Sequence, residues 1–103
     1  MELSVIDRIV LLGILPESGT FLTLKIVHQL RDHLYFSEDE LREFELVEKD
    51  GRFEWQRSRA IEVPIGPKAT EIIIAALTAM DTEERITDRE FSLYERFVPE
   101  EGE

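Results

Sequence analysis

No cysteine occurs in the chain, which removes disulfides, thiolate metal sites and thiol nucleophiles together and suits a reducing compartment. Glycine is scarce and scattered: the five glycines stand alone at positions 13, 19, 51, 66 and 102, so no glycine-rich loop exists to cradle a phosphate. Long apolar runs are also missing. Val5 to Leu15 is short, lacks a basic leader and carries Asp7 and Arg8, so it reads as neither a signal peptide nor a membrane span. The cytoplasm is the expected compartment.

Cations are the other shortage. Twelve lysines and arginines face 23 acidic residues, a net charge of −11. A surface of that sign repels phosphates, so direct binding to nucleic acid or to an anionic membrane starts with an electrostatic handicap. Basic protein surfaces are the more natural partners. The serines (Ser4, Ser18, Ser37, Ser58 and Ser92) have no nucleophile-elbow context. His28 and Asp32 share a helical face at i, i+4, but His33 lies well round the cylinder, so the three do not converge as a metal or acid–base cluster. Glu38-Asp39-Glu40 lacks the alternation and the glycine of a calcium loop. No enzyme activity, cofactor or metal is expected.

What is present specifies a fold. Apolar residues make up 43% of the 103 positions and nine residues are aromatic, enough for one core and too short for two independent ones. The charge is segregated: residues 1–36, 37–54, 55–80 and 81–103 carry nets of −1, −5, +1 and −6. Two acidic segments thus flank a nearly neutral, apolar stretch that has the composition of the core's centre.

Ser4-x-x-Asp7 caps a first helix, which Pro16 ends; Gly13 within it costs roughly 1 kcal/mol relative to alanine and implies fraying or a closely packed neighbour. Thr20 caps a second helix, in which Phe21, Leu24, Val27, Leu30 and Leu34 mark a buried stripe. Ser37 and Glu40 form a capping box for a short helix over 38–43. Phe44 and Leu46 then alternate with charged residues, Lys49-Asp50-Gly51-Arg52 supplies a hairpin turn, and Phe53 and Trp55 alternate on the return. Ile61, Val63 and Ile65 predict a further strand, held to an edge by Pro64. Lys68 to Met80 is apolar nearly all round, which places it at the domain centre, with a homodimer interface as the alternative. Thr87 and Glu90 cap a last helix bearing Phe91, Leu93, Tyr94 and Phe97. The expected architecture is a single α+β domain over 1–98 with a frayed acidic tail at 99–103. Its first two thirds match the order of a winged helix, with Asp50-Gly51 as the wing tip; Glu38, Asp39, Glu40 and Glu43 would then face phosphates, so a winged scaffold here would not read DNA.

The candidate contact residues follow from charge and residue type. Glu38, Asp39, Glu40, Glu43 and Glu45 form an acidic face, and Trp55 with Arg57 and Arg59 supplies the residue types that dominate interfaces. Trp55 reads equally well as an anchor in the core.

Leu11-Leu12-x-x-Leu15-Pro16, Thr23-Leu24-Lys25, Phe36-Ser37-Glu38, an isolated Trp55 and Leu93-Tyr94-Glu95-Arg96-Phe97 together resemble a group of small uncharacterised proteins carried by phages and prophages. The resemblance implies a bacterial host cytoplasm and an accessory role during infection or lysogeny, and brings no catalytic residues with it. The expected function is that of a small acidic factor docking on a host or phage protein through its hairpin or acidic faces. Mimicry of nucleic acid toward a nucleic-acid-binding enzyme is the sharper variant. The alternative is a homo-oligomer that sequesters a small molecule or nucleotide, with Arg57, Arg59 and Lys68 as its cations.

Overall fold

A computed structural model describes residues 1–99; the expected tail, except Pro99, lies outside the described residues. The elements are β1 (Glu2–Leu3), α1 (Val5–Ile14), α2 (Phe21–Leu34), α3 (Glu38–Phe44), β2 (Val47–Lys49), β3 (Arg52–Glu54), β4 (Ile61–Glu62), α4 (Pro67–Thr82) and α5 (Asp88–Phe97), a helix-rich α+β arrangement. No helix among the described residues is long and apolar enough to cross a membrane.

Local signals decide the helix starts. Ser4, Ser37 and Thr87 each open a helix with a reciprocal capping box, closed by Asp7, Glu40 and Glu90, so backbone N–H groups left over at the first turn find acceptors. Thr20 caps α2 through the N–H of Thr23, and Pro67 sits in the first turn of α4, where its missing N–H costs nothing. Asp50 and Gly51 both take positive φ, 53° and 76°, as a two-residue hairpin turn requires, and β2 and β3 pair with Val47 opposite Glu54 and Lys49 opposite Arg52.

Several expectations are corrected by the packing. The strand predicted over 61–65 is reduced to Ile61–Glu62, and it pairs antiparallel with β1, not with the hairpin, so the molecule has two separate two-stranded sheets. β1 was not foreseen, because two residues are too few to show alternation; the pairing also departs from a winged helix, in which the first strand joins the wing. Phe44 belongs to α3, not to a strand. The left-handed Glu45 (φ 53°) ends that helix and the N–H of Leu46 reaches back to the carbonyl of Leu41, so the ribbon begins only at Val47. Phe21 stands 84% exposed at the first position of α2, where no other element reaches over it, while Val27, Leu30 and Leu34 carry the stripe inward. Phe91 likewise faces out, and Glu90, Leu93 and Phe97 form the buried face of α5. α4 buries one face only, Ala69, Ile73 and Leu77, with Ile72 and Ile74 half-buried beside it.

The buried side chains fall into two groups. The larger joins α1, α2, α4, α5 and the β1–β4 ribbon through Leu11, Val27, Ile73, Leu77 and Leu93. The smaller consists of Val5, Phe36, Phe44 and Leu46, against which Ile9, Phe53 and Trp55 pack, and it seats the hairpin on the rest of the molecule. α1 contributes to both.

Candidate functional site

Between the two groups lies Arg8, only 1% exposed and the bulkiest fully buried side chain. Its Nε donates to the carbonyl of Leu34 (2.9 Å) and Nη2 to the carbonyl of Tyr35 (2.8 Å), two acceptors that the end of α2 leaves without helical partners. Nη1 and Nη2 also grip both oxygens of Glu40, at 2.8 and 3.1 Å, and the guanidinium lies 4.2 Å from the centre of the Phe36 ring. A cation therefore faces the negative end of α2, and the carboxylate that holds it also caps α3 through the N–H of Ser37 (3.0 Å). The clasp fixes the corner at which α1, α2 and α3 meet.

Hydrogen bonds from Arg8 hold the Glu40 carboxyl below its ordinary value of 4.5, against the opposing effect of burial. A carboxyl whose folded value is depressed stabilises the fold above its unfolded value and loses that contribution as pH falls through the lower folded one. Thermal melting followed from about pH 6 down to about pH 3 is expected to show a falling midpoint, with a shallower acid limb and a lower pH 7 midpoint in Glu40→Gln. An acid limb of unchanged slope in that variant would mean that Glu40 is not coupled to folding. Glu90 shifts in the same direction: burial pushes it up, but hydrogen bonds from Thr87 and from its own backbone, with the charge of Arg89, together outweigh that effect.

The acidic face expected from the sequence is largely neutralised from within. Glu40 is turned into the Arg8 clasp, with its side chain 14% exposed. Asp39 pairs with Arg42 at 2.6 Å, Glu45 with Arg57 at 3.6 Å, and Glu43 takes both Nε and Nη2 of Arg59 at 2.8 Å. The bond to Arg59 lowers the Glu43 carboxyl, and Glu43 in turn raises the guanidinium. Glu38 alone of the five has no cationic partner among the described residues. Arg57 and Arg59, expected as contact residues, are thus brought onto the acids expected to make contacts.

Trp55 stands at the boundary between the smaller apolar group and the surface. It packs half-buried against the Phe44 group, and it also lines a groove of about 930 Å³ beside α1. The floor of the groove is Ile6, Ile9 and Leu12, which repeat along one side of α1. Tyr35 at the end of α2 and Phe53 with Trp55 on the hairpin form its walls. Arg31, Arg52 and Arg89 reach it from α2, β3 and α5, and Asp32 and Glu48 lie among them. A second hollow of about 540 Å³ adjoins the first across Ile9, Gly13 and Arg89 and continues toward Ala76 and Met80 of α4. Gly13 is neither frayed nor pressed by a neighbour: a β-carbon there would meet nothing within 4 Å, and the residue stands in open space where the two hollows share their lining.

The remaining candidates do not assemble. His28 and His33 are exposed on α2, and Asp32 lines the groove beside α1 while His33 lines a separate hollow against Pro64 and Pro67. Among the described residues no three histidine, aspartate or glutamate side chains are grouped so that they could hold a metal ion. Sequence reasoning missed Arg8 and the groove arginines. For Arg8 a signal existed, since position 8 falls within the buried repeat Val5, Arg8, Leu11, Leu15. Compared with family models, curated proteins and solved structures, the chain matches none.

Proposed function

We propose that this protein is a non-catalytic accessory factor that docks on another protein, and that its docking surface is the groove formed by α1, the end of α2 and the hairpin. The observation that carries this reading is the groove's make-up. An apolar floor carries Trp55, Tyr35 and three arginines, the residue types that supply most binding energy at interfaces. The acidic segment supports docking less well, because Arg8, Arg42, Arg57 and Arg59 already occupy four of its five candidate carboxylates. Mimicry of nucleic acid, which needs free carboxylates, is weakened by the same pairs. Sequestration of a nucleotide by Arg57, Arg59 and Lys68 is weakened too, since these cations pair with Glu45, Glu43 and Glu71. A phage or prophage setting in a bacterial cytoplasm is the context that the sequence resemblance favours.

Gly13→Leu tests the docking surface directly, because it replaces a poor helix former by a good one and fills the junction of the two hollows without entering the core. The variant is expected to melt at or above the wild-type temperature and to lose proteins that the wild type recovers by affinity capture from host lysate. Identical recovery by both would place the docking surface elsewhere. Native mass spectrometry of the protein purified from cells separates the alternatives: a bound small molecule favours sequestration, and a mass of two chains favours a homodimer.

A further inference from the structure

We infer that the groove beside α1 receives a short acidic segment of the partner protein, its apolar side chains on the α1 floor and its carboxylates on Arg31, Arg52 and Arg89. This rests on the docking surface proposed above and adds the chemistry of what docks there.

The distribution of cations singles out the groove. Arg8, Arg42, Arg57, Arg59, Lys68, Arg85 and Arg96 each hold an acidic side chain. Of the twelve lysines and arginines, this leaves Lys25, Arg31, Lys49, Arg52 and Arg89 without such a partner among the described residues. Three of those five line this one groove. In a chain with 23 acids, an arginine without an ion pair is the exception, and these three exceptions line a groove with an apolar floor. Asp32 and Glu48 line the same hollow without closing an ion pair, so Arg31 and Arg52 stay open to an incoming anion, while Arg89 acts across a longer distance on the Glu90 carboxyl.

The same charges select among anions. A nucleic acid strand would extend past the groove onto a surface that is net negative and would be repelled there. A peptide segment with a few carboxylates stays within reach of the three arginines, which bind carboxylate in a bidentate fork. A compact small molecule would leave the adjoining hollow toward α4 unused, whereas a chain segment runs from one hollow to the next.

Trp55 is the only tryptophan, so its emission reports occupancy of the groove. The probes are a short synthetic peptide bearing leucine, phenylalanine and several glutamates, its counterpart with lysine for glutamate, and single-stranded oligothymidylate. The expected result is an emission shift with the glutamate peptide and none with the lysine peptide. In the triple variant Arg31→Gln, Arg52→Gln, Arg89→Gln, whose melting should be unchanged because all three side chains reach solvent, affinity should fall about tenfold or more. Equal binding of the two peptides, unchanged affinity in the triple variant, tighter binding of oligothymidylate, or no binding of any probe would each overturn the acidic-segment inference. Gly13→Leu distinguishes the two levels of failure: if it abolishes binding of glutamate and lysine peptides alike, the groove remains the docking surface and only the acidic chemistry is wrong.

Discussion

Replacement of Arg8 by methionine is expected to lower the unfolding free energy by about 3–5 kcal/mol, the usual cost of removing one partner from a buried, hydrogen-bonded ion pair. Methionine matches much of the arginine's length, so the effect comes from polar groups left without partners, not from a cavity. The carbonyls of Leu34 and Tyr35 lose their donor, and the inward-turned carboxylate of Glu40 loses its cation. Since domains of this kind are stable by only about 5–15 kcal/mol, the variant should melt about 15 °C or more below the wild type, or fail to fold at 37 °C. Arg8→Lys keeps the charge but lacks the planar fork, and is expected to restore only part of the loss. Adding Glu40→Gln to Arg8→Met should cost less than it does in the wild type, because the pair is already broken. If the two single effects simply add, Arg8 and Glu40 act independently and the clasp is not the link between the helices.

The second large effect is expected at Phe44, which is completely buried in the smaller apolar group. Phe44→Ala should cost about 3–5 kcal/mol through lost burial and the cavity left behind. The consequence is local as well as global. The Phe44 carbonyl accepts the N–H groups of Gln56 (2.9 Å) and Arg57 (3.2 Å), and the Arg59 guanidinium lies 5.8 Å from the centre of the Phe44 ring. The residue therefore holds the return strand and the Trp55 wall of the groove in place. In denaturant titrations Leu77→Ala, a fully buried change in the larger group, should show a comparable loss within the usual range for such truncations. The two should differ in native buffer: Phe44→Ala alone should redden the Trp55 emission and speed amide exchange in the hairpin. Identical emission in the two variants would mean that the hairpin keeps its seat without Phe44.

Both sites are needed by the proposed function, for different reasons. The Arg8 clasp fixes the angle between α1, which carries the groove floor, and the end of α2, which carries Arg31 and Tyr35. Phe44 fixes the opposite wall. A surface assembled from separate elements keeps its shape only if the contacts beneath it are rigid, and the two buried groups meet under this groove.

The helix starts, the hairpin turn and the α+β order follow from the sequence by itself, because each depends on residues within a few positions of one another. Ser37 and Glu40, or Asp50 and Gly51, determine their local backbone whatever the remainder of the chain does. The five helices were legible for that reason. Tertiary structure alone decided what those local pieces meet. The partners of Arg8 lie 26, 27 and 32 residues away, Arg59 finds Glu43 across 16, and β4 returns to the first strand across about sixty. Such pairings leave no periodic trace. Composition counts the carboxylates of the acidic face without showing which arginines fold back onto them, and the groove was invisible because its arginines come from α2, β3 and α5. Charge is a property of the sequence. Which charges remain free is settled only when the chain closes on itself, because ion pairing depends on distances that folding creates.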